Sequence, residues 1–124
     1  MNKELVKYRL DRATEALEEA VLLADNSKWN TCVNRLYYTC FYAVSALLAK
    51  NNMSSSKHTG VRSLFNLHFV KTEKVPKKLA QLYNDLFEKR QEGDYIDFVK
   101  FNGDQVKPLI SETRKFLANI KKLI

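Results

Sequence analysis

One arginine stands alone in the stretch WNTCVNRLYYTCFYAVSALL, residues 29–48. Arg35 is the only formal charge between Lys28 and Lys50. At about 100° per residue on a helix, Thr31, Arg35, Tyr38, Tyr42 and Ser45 fall within an arc of roughly 80°. That arc sets one guanidinium among phenols and hydroxyls. A guanidinium is a planar fork of donors suited to a carboxylate or a phosphate. Taking it out of water is costly, so it must be paired, hydrogen-bonded or open to a cleft. Two kinds of partner fit. An acid on the preceding helix, Glu15 or Glu19, would make Arg35 structural, and a phosphate-bearing ligand would make it a binding residue.

A second source of chemistry lies in SSSKHTG. Lys57 and His58 stand where a helix should begin, and free backbone amides with a positive dipole end make such a place a seat for an anion. His58 could equally cap that helix or pack in the core. His68, in LFNLHFV, reads as a helix-face residue. Further on, Arg90 and Asp94 have the i,i+4 spacing of a pair across a helix end, with Tyr95 expected to pack on the bundle. The stretches KTEKVPKK and KFLANIKKLI read as solvated faces. No P-loop, GxGxxG, Ser/His/Asp set or metal-spaced cluster is present, so no metal or cofactor is expected.

These residues need helices to hold them. Residues 3–25 carry Leu5, Tyr8, Ala13, Ala16, Leu17, Ala20 and Ala24 at three- and four-residue steps, the pattern of an amphipathic helix. Asp25-Asn26-Ser27 breaks it and can cap a central helix over about 28–50. So short a connection implies an antiparallel hairpin. The serines of NNMSSS are expected to cap a third helix near 57–70, carrying Val61, Leu64, Phe65, Leu67 and Val70. Pro76 suits the start of a fourth helix over about 76–91, which Gly93 should terminate. Residues 94–103 read as a loop, and a last helix spans about 104–124. The fold class is all-α, an up-and-down bundle of about five helices.

The totals agree with that reading. The 124 residues make one domain, residues 1–124, with three Gly and two Pro, too few for a turn-rich β fold. Cys32 and Cys40 read as buried thiols of a reducing compartment. No apolar run reaches about 18 residues without interruption and the first residues are charged, so a cytoplasmic protein with no membrane span is expected. The net charge of +7 permits phosphate-rich partners without requiring them.

Three segments together resemble a known family. NRLYYTCFYAVSALL is similar to the Arg-x-Tyr-Tyr-x-x-Phe-His segment of HEPN domains, small helical proteins often found as prokaryotic toxins. SSSKHTGVRSLF and FEKRQEGDY are similar to the Lys-His-x-Gly and Arg-x-x-x-Asp-Tyr segments of one HEPN branch. The resemblance covers essentially the whole chain. It implies a homodimer with an Arg/His pair at the dimer cleft that cuts RNA without a metal. It also implies a toxin–antitoxin or defence module, with a minimal nucleotidyltransferase partner able to add AMP to a tyrosine, here Tyr95. Arg35 matches the family's arginine, and Tyr42 stands at the histidine position. A phenol titrating near pH 10 is a poor general base at neutral pH, so cleavage is expected to be weak or absent. The residues to examine are Arg35, Tyr42 and His58 for catalysis, and Arg35, Tyr38, Tyr42, Lys57 and His58 for binding RNA or a nucleotide. The alternative is a non-catalytic helical module whose groove binds a partner protein or a nucleotide.

Overall fold

Residues with no Gly, no Pro and one internal charge form the central helix, α2 (Trp29–Lys50), in a computed structural model that describes residues 2–124. Around it stand α1 (Lys3–Asp25), α3 (His58–Phe65), α4 (Lys77–Tyr95) and α5 (Gly103–Leu123). A π-helical turn, Asn66–Val70, continues α3. The described residues contain no strand, and the fold is an all-α bundle. Leu36, Tyr37, Cys40, Val44 and Leu47 of α2 are wholly buried, and each large apolar side chain among them contributes about 1.5–3 kcal/mol through burial. Tyr83, Phe65 and Phe116 close the core from three other helices, with ring centroids 5.7–6.0 Å apart.

The α1–α2 hairpin closes without a side-chain cap. Ser27 takes the left-handed conformation (φ 57°), and the Ser27 and Lys28 amides donate to the Ala24 and Leu23 carbonyls. That is a Schellman closure of α1. Asn52 (φ 58°) ends α2 in the same way. Both turns use a polar residue where glycine is usual.

Several sequence expectations shift. In α1 the buried face begins at Val6, which shares a helix face with Ala13, Ala16, Leu17 and Ala20, whereas Leu5 and Tyr8 are exposed. In the third helix the wider π turn moves Phe69 into the core and leaves Leu67 exposed, the reverse of a uniform 3.6-residue pattern. Ser55 does not cap α3; its hydroxyl accepts from the Lys57 amide (3.3 Å) instead. Gly93 does not terminate α4, which runs to Tyr95. Its role is close approach, since a Cβ there would lie 2.9 Å from the Phe101 ring. Tyr95 does not pack on the bundle but is 68% exposed. A capping box between Asn102 and Gln105 starts α5.

Candidate functional site

The polar arc of α2 faces α1 on one side and the end of α4 on the other. Arg35 is 25% exposed, and its Nε lies 3.2 Å from Glu19 Oε1. The Nε–H is buried and not aimed at that oxygen, so the contact is an ion pair without a hydrogen bond. Nη1 reaches Asn34 Oδ1 at 3.4 Å, and the guanidinium lies 5.1 Å from the Tyr38 ring centroid. Because Glu19 is 57% exposed, the pair is worth only about 0–1 kcal/mol.

Tyr38 is the common neighbour of the site. Its hydroxyl accepts from Arg90 Nη2 (3.1 Å), and the Arg90 guanidinium lies 5.4 Å from its ring centroid. The Tyr42 and His58 ring centroids are 5.9 and 5.7 Å away. Arg90 also lies near Tyr95, whose hydroxyl accepts from Nη2 at 3.4 Å. Arg90 Nε stands 3.3 Å from Asp94 Oδ2, again buried and again without a hydrogen bond. Two guanidiniums beside one phenol thus each keep an unsatisfied buried N–H.

His58 packs flat on Phe41, with centroids 4.3 Å apart, and its Nδ1 lies 2.8 Å from the Tyr37 hydroxyl. Burial drives the Tyr37 phenol far above its ordinary range, so it keeps its proton and donates to Nδ1. That places the imidazole proton on Nε2. Burial first, and then the nearby Arg90 charge, hold the His58 pKa below its ordinary 6.5. A neutral ring with its proton on Nε2 can donate a hydrogen bond to an anion, but with Nδ1 already bonded it is poorly suited to act as a base. Lys57 precedes it, exposed, at the start of α3.

Tyr42, at the far end of the arc, is held by α1. Arg12 Nη2 donates to the Tyr42 hydroxyl (3.1 Å), and the guanidinium lies 5.0 Å from the ring centroid. Thr31 and Ser45 do not join the site: Thr31 is exposed, while Ser45 is buried, its carbonyl accepting from Arg9 Nη1 at 3.0 Å. His68 is apart, its backbone carbonyl accepting from the Thr72 hydroxyl at 2.7 Å.

The helix hairpin and the α4 end supply what the sequence reading left out. Arg12 and Arg90 complete a row of three guanidiniums, yet neither was among the expected binding residues. A usable signal existed for Arg12. In a hairpin turning at Ser27, residues equally far from the turn meet, and Glu19–Arg35, Arg12–Tyr42 and Arg9–Ser45 all obey that register. For Arg90 the signal lies in asparagines. Asn34 Nδ2 holds Asp94 Oδ2 at 2.8 Å, while Asn30 donates to the Val99 carbonyl (2.8 Å) and accepts from the Phe101 amide (2.9 Å). One turn apart on α2, they fix the end of α4 over the arc. The thiols play no part: Cys32 and Cys40 are free and buried, and burial pushes Cys32 up to about 11. A cavity of about 550 Å³ is also elsewhere, among Lys3, Lys7, Lys50 and Lys121 at the opposite end of α1 from the turn.

The three segments of the family resemblance therefore meet at Tyr38. The HEPN domain family model matches residues 6–123. A Thermotoga maritima protein named "UPF0332 protein" is 46% identical over 98% of this chain and 92% of its own. Two Methanocaldococcus jannaschii proteins, each named "Putative toxin", are 30% and 28% identical over 98% of this chain, covering 82% and 90% of their own lengths. The chain belongs to the HEPN domain family.

Proposed function

We propose that the arc of Arg35, Tyr38 and Tyr42, with Lys57 and His58, binds RNA or a nucleotide in a toxin-like HEPN homodimer. Its setting is a toxin–antitoxin or defence module, with a minimal nucleotidyltransferase as partner. The observation that carries this reading is the pair of buried, unsatisfied Nε–H donors on Arg35 and Arg90, two guanidiniums that lie 5.1 and 5.4 Å from the Tyr38 ring centroid. An unmade hydrogen bond to a charged donor is costly, and a phosphate oxygen satisfies it with a short charge-assisted bond. Glu19 is a weak competitor because it is largely exposed. Two relatives named "Putative toxin" support the toxin-like setting. The exposed Tyr95, Ile96 and Phe98 suit the apolar part of an interface with a second copy, and an exposed Tyr95 hydroxyl suits an AMP acceptor. Among the described residues, no helix is long and apolar enough to cross a membrane.

Tyr42 offers a phenol, and the His58 Nδ1 is engaged by the Tyr37 hydroxyl, so the cleft lacks a free base near pH 7. The Arg35–Glu19 pair favours a second reading, a non-catalytic module that binds a protein or nucleotide in the same groove. The variant Tyr42→His separates the two. Incubated with single-stranded RNA in EDTA, the wild type should be nearly inert, and Tyr42→His should cleave about 10²–10⁴-fold faster. An inert variant that folds and dimerises supports the non-catalytic module. Light scattering at micromolar concentration should return twice the chain mass.

A further inference from the structure

Away from the polar arc, the start of α1 and the ends of α2 and α5 enclose the cavity of about 550 Å³. That volume is within the roughly 300–1,000 Å³ of pockets that hold a small molecule. Its floor is apolar. Val6 is buried against Ala46 and Ala49, and Leu10 and Ile124 pack on this small group, apart from the main core. The two alanines supply little bulk, and the crevice beside them stays open. Asn2 anchors one wall, its Nδ2 donating to the Ala49 carbonyl (2.9 Å) and to Asn52 Oδ1 (3.2 Å).

The rim is basic. Lys3, Lys7, Lys50 and Lys121 line it, against a single acid, Asp11. Lys7 already holds that acid, with Nζ 2.9 Å from Oδ2. Among the described residues, Lys3, Lys50 and Lys121 pair with no acid. Lys50 and Lys121 stand in the last turns of their helices, where the dipole favours a cation. Lys3 opens α1, where the dipole opposes one. Three cations from three helices thus meet over one apolar floor with nothing to balance them.

We propose that this cavity binds an amphipathic anion, a medium-chain carboxylic acid. Its chain lies on Val6, Leu10 and Ile124, and its carboxylate sits among Lys3, Lys50 and Lys121. Lysine suits such a head, because an ammonium is a compact charge that meets an anion from many directions. The chain adds affinity in proportion to the apolar surface it covers. A nucleotide is a poor occupant, since no aromatic ring is among the described residues lining the cavity to stack on a base.

Calorimetric titration of the full chain with hexanoate, octanoate and decanoate, below their micelle concentrations, tests this. Affinity should rise by up to about fourfold for each added methylene, as expected for burying one CH₂. Decylammonium, with the same tail and the opposite charge, should bind far more weakly. The double variant Lys3→Gln/Lys121→Gln, at exposed positions, should weaken decanoate binding roughly 3- to 30-fold. Lys71→Gln/Lys115→Gln removes the same charge away from the cavity and should leave that binding unaltered. Absence of decanoate binding, or affinity that does not grow with chain length, overturns the proposal. So does decylammonium binding as tightly as decanoate. Equal affinities of the two double variants overturn it too, because the carboxylate is then not held at this cavity.

Discussion

The two sides of α2 obey different rules. On its inner side Leu36, Cys40, Val44 and Leu47 meet no water, and their spacing alone fixes their burial. On its outer side Arg35, Tyr38 and Tyr42 stay partly wet, and each is held by a residue from another helix: Glu19, Arg90 and Arg12. The inner side is a continuous apolar seam that tolerates no gap. The outer side is a chain of single polar contacts, two of them leaving a donor unmade. Stability is thus expected to reside in one face and binding in the other.

Truncating the inner face should have the largest effect on stability. Leu47→Ala should cost about 2–5 kcal/mol, because the lost methyl groups leave a cavity in a close-packed core. Denaturant titration measures this. RNA affinity, counted per folded molecule, should not change. A loss of binding in the folded fraction would show that the two faces are not independent.

A smaller effect should appear where the faces meet, at the Tyr37–His58 bond. Tyr37→Phe removes the donor to Nδ1 and should cost about 1–3 kcal/mol through the unpaired ring nitrogen. The same site gives a pH dependence. His58 holds its proton less readily folded than unfolded, so the unfolded chain binds more protons in the acidic range. Its contribution to stability is present above about pH 6.5 and is lost as pH falls below it. Melting curves at pH 8, 6.5 and 5 should therefore fall more steeply for the wild type than for His58→Gln. Parallel curves would mean that His58 is not held neutral by its surroundings.

How much of this the sequence revealed follows the same division. The inner face and the five-helix bundle were legible because burial obeys a 3.6-residue period that needs no partner to be known. Errors arose where that period changed or where a neighbour decided the outcome. The π turn swapped Leu67 for Phe69, and the return of Phe101 across the helix explains Gly93. Arg35, Tyr38, Tyr42 and His58 were recognisable as a polar set. Their partners Arg12 and Arg90 were not, since their place depends on hairpin register and on how Asn30 and Asn34 hold the α4 end. Glu19 was one of two acids considered for Arg35, and the register about Ser27 selects it over Glu15.

The smallest expected change in stability is at Arg35, and it accompanies the largest change in binding. Anisotropy titration of labelled single-stranded RNA, with melting curves of the same samples, compares the wild type with Arg35→Ala. Losing a charge-assisted contact to phosphate should weaken binding about 10- to 150-fold. Stability should move by no more than about 1 kcal/mol, because Glu19 is left in water. Unchanged affinity per folded molecule, with a stability loss of about 3–5 kcal/mol, would contradict a binding role and make Arg35 a structural ion-pair partner.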